Sequence, residues 1–151
     1  MINYKDLFEF DFWANCEVIK YVSSSKVKKE KALSIMSHIL NAYVLWIGRI
    51  KNIPQNTGVW QIYDKSELTD KNLEIRKMMS EFLFDREFYP DKIVSYKNTK
   101  GENYESTVED ILFHLFNHSS YHRGQVIHLL SSSGNDFPYI DYIHYVRNIK
   151  K

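Results

Sequence analysis

The sequence predicts an all-α protein: a four-helix bundle with long crossover connections, a small β-hairpin before the last long helix and a short C-terminal helix. Three observations predict it. Apolar residues recur at spacings of three and four along four long stretches. Clusters of Ser, Gly, Pro and Asn separate those stretches. A length of 151 residues with 44% hydrophobic content suits a single domain over residues 1–151 with one core. Four amphipathic helices have four apolar stripes to bury, and packing around a common core buries them all.

The first helix is expected from about Tyr4 to Val22, with Tyr4, Phe8, Phe12, Cys16 and Ile19 on its apolar face. Ser23-Ser24-Ser25 breaks it. The second runs from about Lys31 to Ile50, with Leu33, Met36, Ile39, Leu40, Tyr43, Val44 and Ile47 inward. Ile53-Pro54-Gln55-Asn56-Thr57-Gly58 stops it. The connection from Ile50 to Ser66 is long enough to cross one end of a bundle. The third helix begins near Ser66, or at Asp70 as N-cap if the start frays. Its pattern, through Leu73, Ile75, Arg76, Met78, Met79, Phe82 and Leu83, is weaker. Ile93–Tyr96 and Glu102–Tyr104 then flank the turn sequence Asn98-Thr99-Lys100-Gly101, a β-hairpin pattern. The fourth helix opens on Ser106-Thr107-Val108-Glu109, read as a capping box with Ser106 as the cap. Asp110 places further negative charge in its first turn. It runs to Leu130, and Ser131-Ser132-Ser133-Gly134 ends it. A last short helix covers about Asp141 to Arg147, with Asp141 as its N-cap.

The fourth helix carries a histidine ladder, His114-Leu115-Phe116-Asn117-His118-Ser119-Ser120-Tyr121-His122. A step of four residues turns a helical side chain by only ~40° and lifts it ~6 Å. His118 and His122 therefore reach one point from one face, and imidazole is the commonest neutral nitrogen ligand for divalent metals. The third ligand should come from another helix. His38 qualifies, near the start of the apolar second helix. His128 is turned ~80° off the ladder face, and His144 sits beyond the bundle; both read as ordinary, partly exposed residues. The expected metal ligands are thus His38, His118 and His122. The competing reading is a set of core histidines, each of which would need its own hydrogen-bond partner. His114 reads equally as a supporting neighbour of the site or as core packing, and Asn41, three residues after His38, faces the site. Arg123 and Gln125 are assigned to helix packing and a salt bridge rather than to steering an anion. Trp13 and Trp46 read as core, and Cys16 as a small buried apolar residue.

Composition narrows the function. The net charge is +1, which gives no electrostatic reason to expect nucleic acid or an anionic membrane as a partner. The run Lys26-Val27-Lys28-Lys29-Glu30-Lys31 contains a glutamate and no stacking aromatic, so it reads as a solvated loop or helix start. One cysteine excludes an intramolecular disulfide. No apolar run approaches the ~20 residues of a membrane span, and the first residues do not resemble a signal peptide. A cytoplasmic location is expected. Aromatic residues make up 15% of the chain, with 11 Tyr and 9 Phe, enough to fill a core and also line a pocket or an oligomer interface.

Taken in order, several segments resemble the DinB family. Phe12-Trp13-Ala14-Asn15 is similar to its aromatic-Trp-Ala-Asn segment, and Ser37-His38-Ile39-Leu40-Asn41-Ala42 followed by Trp46 to its helix-two histidine segment. Asn117-His118-Ser119-Ser120-Tyr121-His122-Arg123-Gly124-Gln125 is similar to its most diagnostic motif. Gly134, Pro138 and Asp141-Tyr142-Ile143 resemble its tail, although Asp136-Phe137-Pro138 departs from the usual paired prolines. The resemblance implies a helical metalloprotein with a three-histidine site at His38, His118 and His122.

Three neutral ligands leave a divalent ion its full charge and open coordination positions, the pattern of a catalytic or substrate-binding metal. Zinc suits the set best and nickel next. Such an ion lowers the pKa of bound water to ~7 or activates a thiolate. The resemblance implies a metal-assisted thiol S-transferase using a low-molecular-weight thiol, in stress response or detoxification, with a hydrolase as a close variant. Glu81, Glu109 and Asp141 are available as bases, but no motif places them at the metal, which favours transfer over hydrolysis. The alternative is a non-enzymatic metal-binding stress protein in which the metal staples the bundle. A third reading is an interaction module with a dimerising aromatic surface. Aromatic content and the resemblance together point to a homodimer.

Overall fold

Each long apolar stretch becomes a helix. The computed structural model describes residues 3–24, 30–131, 136–137 and 139–150. Among these the chain is mostly helical, with α1 (Tyr4–Ser24), α2 (Glu30–Lys51), α3 (Leu68–Leu83), α4 (Val108–Ser131) and α5 (Tyr142–Asn148). A hairpin of β1 (Ile93–Lys97) and β2 (Asn103–Thr107) stands between α3 and α4. α2 packs along α4, α1 packs against α3 and α4, and α3 also touches α2. The expected breaks at Ser25 and at Ser132–Gly134, most of the Lys26–Lys31 run, and the Gly134 and Pro138 positions lie outside the described residues.

The apolar face of α1 differs from the one expected. Its buried stripe is Phe8, Asp11, Asn15, Val18, Ile19 and Val22, whereas Phe12 and Cys16 are only half-buried. Two polar residues sit in the core stripe, so the buried face is shifted part of the way round the helix: Phe8 and Ile19 stay inside, while Tyr4 and Phe12 pack at its edge. Cys16 instead faces α3, where Asn72 Nδ2 donates to its sulfur at 3.3 Å.

α2 is buried almost all round from Ile35 to Tyr43, as a central helix should be. By length and composition alone it would also pass for a membrane span, contrary to the sequence expectation, but 67% of that stretch is buried inside the protein. It ends one turn of chain before the Pro54 signal. Asn52 takes φ 53°, its N–H reaches Arg49 O at 3.1 Å and the Ile53 N–H reaches Gly48 O at 2.8 Å. This is a Schellman stop with asparagine in the left-handed position. Gly48 is needed there, because a Cβ would lie 2.9 Å from Ile53 O and 2.5 Å from Gln55 Cγ. The chain then turns back along α2. Ser37 Oγ accepts from the Tyr63 N–H at 3.1 Å, and Asn41 Nδ2 donates to Gln61 O at 2.8 Å.

α3 starts at Leu68, not at Ser66 or after Asp70, and Glu67 precedes it without a side-chain cap. Its stripe Leu68, Asn72, Ile75, Met79 and Phe82 is regular, and Leu73, expected inward, is 49% exposed. The hairpin pairs Ile93 with Thr107 through Lys97 with Asn103. Gly101 supplies φ 83° at its turn, and Asn98 Oδ1 accepts from the N–H groups of Lys100 (2.9 Å) and Glu102 (3.0 Å).

The capping box of α4 lies one residue later than expected. Ser106 belongs to β2, and its hydroxyl pairs with Tyr96 OH. Thr107 Oγ1 accepts from the Asp110 N–H at 3.0 Å, and Asp110 Oδ2 accepts from the Thr107 N–H at 3.3 Å. Both residues belong to β2, but the Ser106 hydroxyl is taken by Tyr96, and Thr107, the last strand residue before the helix, takes the cap. Thr107→Ala should therefore cost ~1 kcal/mol in denaturant melts, while Ser106→Ala costs less; equal losses would return the cap to Ser106. α5 is capped as expected, with Asp141 accepting from the His144 N–H at 2.8 Å. Its Tyr145 is buried against Phe10 and Trp13 of α1.

Candidate metal centre

The ladder and helix two meet. His38, His118 and His122 each turn one ring nitrogen to a common point, and these three atoms lie within 4.8 Å of one another. His38 Nε2 and His118 Nε2 are 3.0 Å apart. Zinc–nitrogen bonds of ~2.0–2.1 Å set tetrahedral ligand nitrogens roughly 3.4 Å apart, so small rotations of these rings would accommodate an ion.

The outer nitrogens support that arrangement. His38 Nδ1 lies 2.9 Å from Val59 O; a carbonyl only accepts, so Nδ1 carries the proton and Nε2 presents its lone pair inward. His122 Nδ1 lies 2.9 Å from Gln125 Oε1, which fixes its ring in the same sense. Such outer partners orient histidine ligands and raise their basicity. Asn41, expected to face the site, acts through the loop instead, by holding Gln61 O and, at 3.4 Å, Val59 O. Trp60 lies flat on His38, with centroids 3.9 Å apart and planes 10° apart, and is itself 56% exposed. Thus the 53–63 connection supplies both a partner and a cover for His38.

The electrostatics favour neutral rings. Burial, with the nearby rings of His122, His38 and His114, pushes His118 down to about 3. Burial, chiefly, also lowers His38. His118 Nδ1 is buried without a hydrogen-bond partner. His114 lies between His118 and Trp46, each ring centroid 5.3 Å away, tilted to the first and edge-on to the second, and burial lowers its pKa too. No carboxylate partners any of the three rings among the described residues. Glu109 accepts from Tyr4 OH, Asp141 caps α5, and Glu81 is exposed on α3. Three imidazoles that converge with no carboxylate partner among the described residues have the chemistry of a divalent-cation site rather than of an ion pair.

A second polar cluster lies next to this one. Arg123, 2% exposed, donates to Asp11 Oδ1 (2.5 Å), Asn15 Oδ1 (2.9 Å) and Ser119 Oγ (2.6 Å). Tyr43 OH and Ser119 Oγ donate to Asp11 Oδ2 at 2.7 and 2.9 Å. Burial, then the Asp11 carboxylate, pushes Tyr43 well above the usual phenol range, so it remains a donor. Arg123 is thus the salt bridge expected of it, but the partners on α1 were not anticipated. Ser119 and Arg123 each follow a ladder histidine by one residue, ~100° around α4. The cluster ties α1, α2 and α4 together and sets the rotation of α4 that aims His118 and His122 at His38.

His128 is exposed, and His144, partly exposed, stacks on Trp13; neither joins the cluster, as expected. Gln125, read as packing, proved to be a partner of His122; its spacing of three from that residue was the available sign. Trp60 and Val59 carried no sequence sign beyond a tryptophan in a polar loop.

The chain is thus a mostly helical protein with three convergent histidines on two packed helices that could hold a metal ion. More particularly, the model of the DinB family matches residues 20–150, and the chain belongs to the DinB family. No curated protein and no solved structure matches it.

Proposed function

We propose that the four long helices form a four-helix bundle in which His38, His118 and His122 hold a divalent metal, zinc by preference and nickel next. The protein is then a metal-dependent enzyme of the thiol S-transferase type, acting with a low-molecular-weight thiol in detoxification or stress response, as a cytoplasmic homodimer. The observation that carries this reading is the convergence of three ring nitrogens within 4.8 Å, two of them on rings anchored from behind by Val59 O and Gln125 Oε1. A bound ion supplies Lewis acidity that ionises a thiol reaching it. His38, His118 and His122 bind; Gln125 and Val59 orient; Trp60 shields one ring from water. Among the described residues no carboxylate partners the cluster, which suits transfer of a metal-held thiol, whose proton passes to water, better than hydrolysis, which would benefit from a carboxylate base.

A second reading has an observation of its own. The histidines bridge α2 and α4, and Trp60 covers His38, as in a metal staple without turnover. The test is metal content by mass spectrometry of tag-free protein, wild type against His122→Ala. Near-stoichiometric metal in the wild type and its loss in the variant are expected. A metal-free wild type, even after zinc and nickel are offered, would remove the enzyme reading. With cobalt in the site, a visible spectrum that changes on adding thiol supports an open position; an unchanged spectrum supports the staple.

A further inference from the structure

α2 and α4 run antiparallel past the cluster. His38 meets His118 and His122, while Trp46, further along α2, meets His114, further back along α4. In the other direction the two helices enclose a groove of about 410 Å³. Gln125 lines this groove and also holds His122, so groove and cluster share a wall. Ile35, Leu129 and the ring of Tyr121 provide its apolar surface. Lys31 and His128 provide its basic groups, and no carboxylate is among its lining residues. At 1.5 Å per residue, Lys31 lies ~10 Å from His38 along α2, and His128 lies ~9 Å from His122 along α4. The dipole ends that α2 and α4 bring here are of opposite sign, and among the described lining residues Lys31 supplies the ammonium, with Glu30 beside it in the chain but not in the lining.

Gly124 is the second observation. It is exposed in the middle of α4, where glycine is disfavoured. A Cβ there would meet no atom within 4 Å, so packing does not require a glycine. Its missing side chain keeps the groove wall clear.

We propose that this groove binds a small molecule with an aliphatic body and a carboxylate end. Lys31 takes the carboxylate, Ile35, Tyr121 and Leu129 cover the body, and the far end points along Gln125 toward the histidines. The last step rests on the metal reading of the cluster; binding in the groove does not.

The probe is octanoate, followed by amide chemical shifts, with octanol as the uncharged control. Shifts confined to the facing turns of α2 and α4 are expected, with octanol about tenfold weaker. Lys31→Glu should weaken octanoate by about tenfold and leave octanol unchanged. Gly124→Leu should abolish both while the helical circular dichroism is retained; Lys31→Glu, at an exposed position, carries the test if Gly124→Leu does not fold. Scattered shifts, equal binding of octanol, or full binding by both variants would overturn the proposal. Cobalt uptake, measured on wild type and His122→Ala, separates the two readings. Octanoate bound in the groove without cobalt uptake removes only the metal reading, and cobalt uptake without groove-specific octanoate binding removes only this one.

Discussion

Asp11→Ala is expected to destabilise the protein by about 3–5 kcal/mol, because it leaves a buried guanidinium without its counter-charge. Arg123 and Asp11 are 2% and 1% exposed, so water cannot replace the lost carboxylate. Asn15 Oδ1 and Ser119 Oγ still accept from Arg123, but neither is charged. Tyr43 OH and Ser119 Oγ also lose their acceptor. A domain of this size is stable by only about 5–15 kcal/mol, so the loss is a large share of the total. The measurement is urea unfolding of Asp11→Ala, Arg123→Met and the double variant. The double variant should recover much of the loss, since two apolar side chains need no partner. Additive single losses would show that the pair is not coupled, and a loss below ~1 kcal/mol would place it with exposed pairs. Because the same cluster sets the rotation of α4, Asp11→Ala should also weaken metal uptake, with all three histidines intact.

The second large effect is metal-linked stability and its loss in acid. A ligand that binds only the folded state at 1,000 times its Kd adds about 4 kcal/mol. Zinc in that excess should raise the melting temperature of the wild type at about pH 7.5 and leave His118→Ala unmoved, since ligand histidines must be neutral to bind and unfolded histidine titrates near ~6.5. The sign follows from His118. Its folded pKa of about 3 lies below the unfolded value of ~6.5, so between these pH values the unfolded chain binds more protons. Stability therefore rises with pH in this window and falls as pH drops through it. Protons and zinc compete for the same nitrogens, so the zinc-dependent shift should fade toward about pH 5. Equal zinc shifts at both pH values would sink the coordination by neutral imidazoles.

The helices were legible because their cause is local. Apolar spacing, the Asp141 cap and the Asn98–Gly101 turn act over a few residues; the cap and the turn appear where the sequence placed them, and the spacing located the helices though not every buried face. The errors came where a tertiary contact overrode a local pattern. Ser106 is as good a cap as Thr107, but its hydroxyl is taken across the hairpin by Tyr96. Asp11 and Asn15 carry no local sign of burial, and they are core because Arg123, more than a hundred residues away, neutralises the cost of burying them.

Of the candidate site, the sequence alone determined which residues to look for: helical geometry puts His118 and His122 on one face, and His38 lies near the start of the other apolar helix. Only the tertiary structure decided that α2 and α4 pack antiparallel in the register that brings the three rings together. It also decided that the 53–63 connection lays Val59 and Trp60 on His38, and that the Asp11–Arg123 cluster orients α4. The physical reason is range. Which face a helix presents depends on neighbours a few residues away, but which faces meet depends on burying charge and apolar surface between segments far apart in the chain.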